Sequence, residues 1–400
     1  MAILSPMKAD RRMIPSTPEI LAQLVAEPTV SRTSNLALLD YVEGLLRPVG
    51  ARIERFSHPD GSRANLWATI GAEGPGGVVL SGHTDVVPVE GQDWSSFPFT
   101  LVERDGLYYG RGAADMKGFV AAALHAALIA SSRSLKTPLH LALSYDEEIG
   151  CLGVRGMIEA LATRACRPAL CIVGEPTGMR IATGHKGKLA LRACCRGQEA
   201  HSALAPTALN ALHLGAAFIT ALQARQDELA IKGTHDPDYD IPYSTIHAGL
   251  MRGGTALNIV PNLCEIDFEI RNIAEDDPQD ILAGIAADAE AIAAPYRNRF
   301  PMACVEIDEI SGYPVLNVGT DAPAVRLLRR ILGNDDPTLK VAFGTEGGLF
   351  QEGLGISTAV CGPGFMDQGH KPNEFVSADQ IEQCDVMLAR LIDELEHGVR

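Results

Sequence analysis

The chain has 400 residues, more than one hydrophobic core usually covers, so two domains are expected. Apolar residues make up 46% and charged residues 21%, as in an ordinary soluble globular protein. The net charge of -16 argues against nucleic acid or an anionic membrane as partner, because phosphates are repelled. The excess acid is read mainly as solubility, with a preference for cationic substrates as the lesser alternative. Nine cysteines without CxxC or zinc-type spacing read as reduced thiols, hence a cytoplasmic protein. The N-terminal stretch lacks the apolar core of a signal peptide, and "FVAAALHAALIA" is too short to span a membrane.

In chain order, Ser16 or Thr17 caps a first helix, with Pro18 in its first turn and Glu19 following. Strand-like runs end at "GGVVLSG", "LHLALSY" and "ALCIVG". A helical stretch, "DMKGFVAAALHAALIASS", lies between the first two. Apolar strands alternating with helices predict an α/β fold with a mostly parallel central sheet covered on both faces. Near Lys186 the pattern changes. "GKLALRACCRG", "STIHAGLMRGG" and "CEIDFEIR" read as strands, and "TALNALHLGAAFITALQARQDELA" and "DPQDILAGIAADAEAIAA" as helices. This predicts an α+β domain over 186–295, inserted into a discontinuous domain of 1–185 and 296–400. "KVAFG" and "STAVCG" resume the sheet. In the last helix Ile381, Cys384, Met387, Leu388, Leu391, Ile392 and Leu395 recur at helical spacing and read as packing.

The polar residues that follow the strands carry the chemistry. "VVLSG" delivers His83 and Asp85, "LALSY" delivers Asp146, Glu147 and Glu148, and "LCIVG" delivers Glu175. Ligands of open α/β sheets bind beyond the carboxyl ends of the strands. Asp115 precedes a helix, and His370 lies in the Gly/Pro-rich "GPGFMDQGHKPNEF". Taken singly, an HxD triplet or an acidic pair is ordinary surface. Together, so many carboxylates repel unless cations neutralise them. Two histidines with several carboxylates suit zinc, and tolerate cobalt or manganese. A carboxylate bridging two ions roughly 3.5–4 Å apart is the usual two-metal arrangement. Residues i and i+2 of extended chain point to one side, so Asp85 is expected to accept the second N–H of His83. Adjacent Glu147 and Glu148 diverge, one towards metal and one towards substrate as a base. Histidines 58, 125, 140, 213 and 235 have no such context, and Cys151 is read chiefly as packing.

The chain resembles the dinuclear metal-dependent aminoacylase/carboxypeptidase family from about residue 15 to its end. The likeness rests on "SGHTDVVPVEG", "YGRGAADMKG", "YDEEIGCLG", "GEPT", "HKGK", "AHSA", "GGTALNIVP", "FGTEGG" and "DQGHKPNEF", in that order. It implies a zinc-peptidase-like catalytic domain with an inserted lid and dimerisation domain. It implies two divalent ions, zinc first and cobalt as alternative: one on His83 and Glu175, the other on Glu148 and His370, bridged by Asp115. By the same likeness Glu147 is the general base, and Asp85 orients the histidine. His201 reaches the active site of the partner in a homodimer, and Arg271, Asn258 and Gly344 bind substrate. The wording is nearest to the acetylornithine deacetylase branch, which implies hydrolysis of N-acetyl-L-ornithine to L-ornithine and acetate in arginine biosynthesis. A related N-acyl-amino-acid hydrolase, a carboxypeptidase or dipeptidase, and an inactive binding relative are the alternatives. "GTEGG" and "GFMDQGH" depart from the usual deacetylase wording and leave the acyl group and side-chain preference open.

Overall fold

The computed structural model describes residues 14–72, 74 and 76–399. The signal-peptide reading of the N-terminus falls largely on residues 1–13, outside the described residues. Glu19 accepts the N–H of Ser16 at 2.8 Å, which starts the helix Thr17–Ala26 where Pro18 fits the first turn.

Among the described residues the central sheet has nine strands. Its order is Arg52–Ser57, Ala64–Ile70, Leu139–Ser144, Val78–His83, Leu170–Val173, Ser357–Val360, Ala182–His185, Leu316–Asn317, with Leu339–Val341 also pairing Ala182–His185. The inner four, from Leu139–Ser144 to Ser357–Val360, are parallel. Their register pairs Val78 with both Leu139 and Leu170, and His83 with Ser144. Antiparallel pairs flank them, so the sheet is mixed and mostly parallel at its centre. Leu139–Ser144, Val78–His83 and Leu170–Val173 are buried along their whole length, and Ser357–Val360 from Thr358 on, because helices cover both faces. Lys117–Ala130, Pro323–Leu332 and Ala378–His397 contribute to the core on one face, and Val154–Ala162 and Gly347–Leu354 to the other. All seven apolar residues expected at helical spacing in the last helix are buried.

The second unit is a four-stranded antiparallel sheet in the order Thr245–Gly253, Leu263–Arg271, Lys188–Arg196, Cys304–Tyr313. Lys188–Arg196 alternates between buried and part-exposed residues. Ala211–Lys232 and Pro278–Ala293 pack on its buried face, the latter capped by Asp277, whose side chain accepts the N–H of Gln279 at 2.8 Å. One boundary needs correction. The expected end of the insert at 295 omits Cys304–Tyr313, which pairs with Lys188–Arg196 from Cys304↔Arg196 to Tyr313↔Lys188. The chain therefore leaves the central sheet after His185 and returns at Leu316. Lys188 faces Tyr313 in one sheet and His185 faces Leu316 in the other, so the two crossings form a ribbon.

Candidate functional site

Parallel strands place their carboxyl ends on one edge, and the acids gather there. His83 closes its strand, Glu147 and Glu148 follow Leu139–Ser144, and Glu175 follows Leu170–Val173. Asp115 sits just before the helix Lys117–Ala130, and His370 lies between Ser357–Val360 and Phe375–Ser377. Gly174 permits the close fit beneath Glu175, since a Cβ there would lie 1.9 Å from the Phe119 ring.

Asp115 stands at the centre. Its Oδ1 is 3.1 Å from Nε2 of His83, and its Oδ2 is 3.2 Å from Nε2 of His370. His370 Nε2 is also 2.9 Å from Glu148 Oε2, and His83 Nε2 is 3.8 Å from Glu175 Oε1. Two groups result, His83–Asp115–Glu175 and Asp115–Glu148–His370, each with potential ligand atoms within 4.8 Å of one another. The five residues expected as ligands are thus brought together, with Asp115 common to both groups.

Nδ1 of His83 lies 2.9 Å from the carbonyl oxygen of Asp85. A carbonyl only accepts, so this contact assigns the proton to Nδ1 and leaves Nε2 as the ligand nitrogen. The expected role of Asp85 is corrected here: its backbone holds the imidazole, while its carboxylate Oδ1 is 3.7 Å away. That carboxylate instead accepts the N–H of Glu147 at 3.0 Å, the N–H of Glu148 at 3.3 Å and the hydroxyl of Ser31 at 2.7 Å. The strand ends at His83, so the alternation of an extended chain no longer governs Asp85. Asp146 turns away, accepting the N–H of Arg32 at 2.6 Å and pairing with Arg63 at 3.0 Å.

The electrostatics of the cluster follow from burial. Desolvation pushes Glu147 up to about 8, with Glu148 and Glu346 adding to the rise. It pushes Glu148 up to about 7 and Glu175 well above the carboxylate range, with Asp115 adding to both. Burial also opposes ionisation of Asp115, but hydrogen bonds from His370 and His83 hold it well below its ordinary value. Hydrogen bonds to Asp115 and Glu148 carry His370 up to about 10. So much buried acid around two inward imidazole nitrogens is the donor set that divalent cations neutralise, and the residues fit such ions. Cys151 donates its S–H to Glu147 Oε1 at 3.1 Å, and burial beside that carboxylate keeps the thiol protonated.

A cavity of about 390 Å³ opens over the cluster, between the two sheets. Asp115, Glu147, Glu148, Glu175 and His370 line it from the central sheet, and Lys188, Arg271 and Tyr313 from the second unit. Arg271 bonds Glu269 at 3.0 Å and the Tyr313 hydroxyl at 2.5 Å, and Lys188 reaches Glu269 at 3.4 Å. Gly344 lines the cavity as well, and a Cβ on it would fall 1.9 Å from the Tyr313 hydroxyl. His201 and Asn258 are adjacent on the lid: His201 pairs with Ile259, and the Asn258 carbonyl accepts the N–H of Ser202 at 3.0 Å. Both are exposed, and neither is among the described residues lining the cavity. Sequence reading missed Lys188, Tyr313 and the buried Glu346, which accepts the Ser81 hydroxyl at 3.0 Å. Lys188 and Glu346 do fall inside quoted motifs.

Peptidase family M20/M25/M40 matches residues 79–394. Acetylornithine deacetylase of Proteus mirabilis (strain HI4320) is 33% identical over 387 residues, covering 95% of this chain and 97% of that one. The chain belongs to peptidase family M20/M25/M40. It is accordingly a metal-dependent amidohydrolase. The M20 fold extends over nearly all of it. The M20 metallo-carboxypeptidase Sso-CP2 of Sulfolobus solfataricus has a TM-score of 0.77 at 18% identity, covering 96% of this chain and 100% of that one. The YXEP protein of Bacillus subtilis, described as a dinuclear metal binding M20 peptidase, has a TM-score of 0.68 at 18% identity, covering 95% and 98%.

Proposed function

We propose that the protein hydrolyses the amide of N-acyl-L-amino acids, with N-acetyl-L-ornithine as first substrate and arginine biosynthesis in the cytoplasm as its setting. The observation that carries the chemistry is Asp115, with one carboxylate oxygen towards each histidine. Two ions, zinc or cobalt, would be held by His83 and Glu175 and by Glu148 and His370, with Asp115 shared. When bound, such ions supply an acidified water and a Lewis acid for the acyl oxygen. Glu147, buried beside the cavity and held by the Asp85 carboxylate through its N–H, takes the proton from the attacking water. The same carboxyl returns that proton to the leaving amine. Arg271 pairs with the α-carboxylate of the substrate through its guanidinium fork, beside Gly344. His201 and Asn258 act across a homodimer built through the lid, His201 donating to the tetrahedral oxyanion. Their exposure on the lid, beside the fully exposed Leu257, supports a shared site. The nine free thiols support the cytoplasm.

The ornithine assignment is supported by the deacetylase relatives. One observation favours a second reading, an N-acyl-amino-acid hydrolase or carboxypeptidase for uncharged side chains. Among the described residues lining the cavity, the charged ones besides those assigned to the metals and the base are Lys188 and Arg271. A δ-ammonium group finds no unassigned carboxylate among the described lining residues. Zinc- or cobalt-loaded protein assayed on N-acetyl-ornithine, N-acetyl-methionine, N-succinyl-diaminopimelate and a dipeptide separates the readings. Preference for N-acetyl-ornithine supports the first, and preference for N-acetyl-methionine or the dipeptide supports the second. Hydrolysis of none, with two ions bound, favours the inactive binding relative over both.

A further inference from the structure

One polar network, buried at Arg111 and Glu374 and part-exposed at Gln92, adjoins the acid cluster, and none of these three side chains lines the cavity. Arg111 and Glu374 are each 1% exposed and form an ion pair at 2.6 Å. Burying such a pair yields little net stability, because desolvation offsets the attraction. Its hydrogen bonds point to another use. Glu374 Oε1 accepts the N–H of Ala114 at 3.0 Å and the N–H of Asp115 at 3.1 Å. Arg111 Nη2 donates to Gln92 Oε1 at 2.5 Å, and Gln92 Nε2 donates to the carbonyl of His370 at 3.0 Å. Arg111 Nη1 also reaches the carbonyl of Lys371 at 3.3 Å. An unbroken chain of bonds therefore runs from the amide of Asp115 to the backbone of His370.

Its two ends differ in how much else fixes them. Asp115 is buried at the start of a core helix. The His370 side chain is 51% exposed, and its backbone adopts a φ of 61°, a left-handed conformation that non-glycine residues seldom take. Burial alone does not aim such a side chain. From this the geometry points to Gln92 and the Arg111–Glu374 pair as positioning residues that hold His370 against Asp115 and Glu148, so that the Asp115–Glu148–His370 group is formed before a cation arrives. None of the three touches the reacting atoms. The inference rests on the metal reading above. It adds an asymmetry: this chain of bonds reaches the His83–Asp115–Glu175 group only through the amide of Asp115, so loosening the Gln92 end acts on one ion site.

The test is a titration of the full-length, metal-free protein with Co²⁺, followed by calorimetry and by the visible spectrum of bound cobalt, with no assay of activity. Wild type is expected to take two ions, and His370→Ala identifies the step that depends on His370. Gln92→Ala should weaken that step by roughly 10–100-fold, the usual cost of losing a partner of a metal ligand, and leave the other within twofold. Gln92→Glu keeps the acceptor for Arg111 and loses the donor to His370, so it should weaken the same step. Glu374→Gln should weaken it further. Unchanged affinity in both Gln92 variants overturns the inference, and so does an equal loss at both steps, which would mean general loosening. Fewer than two ions in wild type would sink the metal reading itself, and that outcome is read before any variant is made.

Discussion

The two sheets handle charge in opposite ways. At the edge of the central sheet, His83, Asp115, Glu147 and Glu175 are all buried and acids outnumber bases. On the strand Leu263–Arg271 of the lid sheet, Asp267 and Glu269 stand on the part-exposed face and are already matched. Asp267 takes both Arg192 at 2.6 Å and Arg252 at 3.6 Å, and Glu269 takes Arg271 and Lys188. These two lid acids are thus neutralised as folded, whereas the buried acids of the sheet edge call for added positive charge.

The largest effect expected from that contrast is at the base. Glu147→Ala should lower kcat by roughly 10²–10⁴-fold, the range for a general acid-base group, while both ions still bind. Steady-state kinetics beside metal analysis checks this, and substantial residual turnover would remove Glu147 from its role. Next comes the lid histidine. His201→Ala should lower kcat by about 10²–10³-fold, as for one oxyanion donor. Mixing it with the Glu147→Ala protein should restore turnover if sites are shared, and heterodimers without recovery would refute the sharing. Third, chelation should destabilise the sheet edge by about 4 kcal/mol for each ion supplied at a thousandfold excess over its Kd. Hydrogen exchange should then lose protection in Val78–His83 and Leu139–Ser144 and keep it in Lys188–Arg196, and equal loss in both would break the contrast. The smallest effect belongs to the lid. Arg192→Ala removes a partly exposed pair and should change stability by less than about 1 kcal/mol in a denaturant titration.

Much of the candidate site was legible because a parallel sheet turns strand order into proximity. His83, Glu148 and Glu175 each follow an apolar run, and that alone predicts a common edge. His370 and Asp115 needed motif wording as well. Asp85 was found but its bonding was misjudged, since spacing does not tell a carboxylate from its own backbone carbonyl. The end of the insert was missed for a local reason. In "CVEIDEISGY" the alternation of Val305 and Ile307 breaks at a register shift between Glu309 and Ser311, so the period fades within the strand. Arg111 and Glu374 were beyond reach, because partners 263 residues apart leave no periodic trace.

The ribbon that joins the two units has a consequence for heredity. Residues facing each other across an antiparallel pair lie about 5 Å apart, a gap that a two-residue turn closes. Everything between Lys188 and Tyr313 therefore enters and leaves at nearly one point. A lineage can lengthen, exchange or discard that cassette without shifting the register of a single central strand. The inserted unit is then free to diversify by recombination, while the clustered acids are passed on intact.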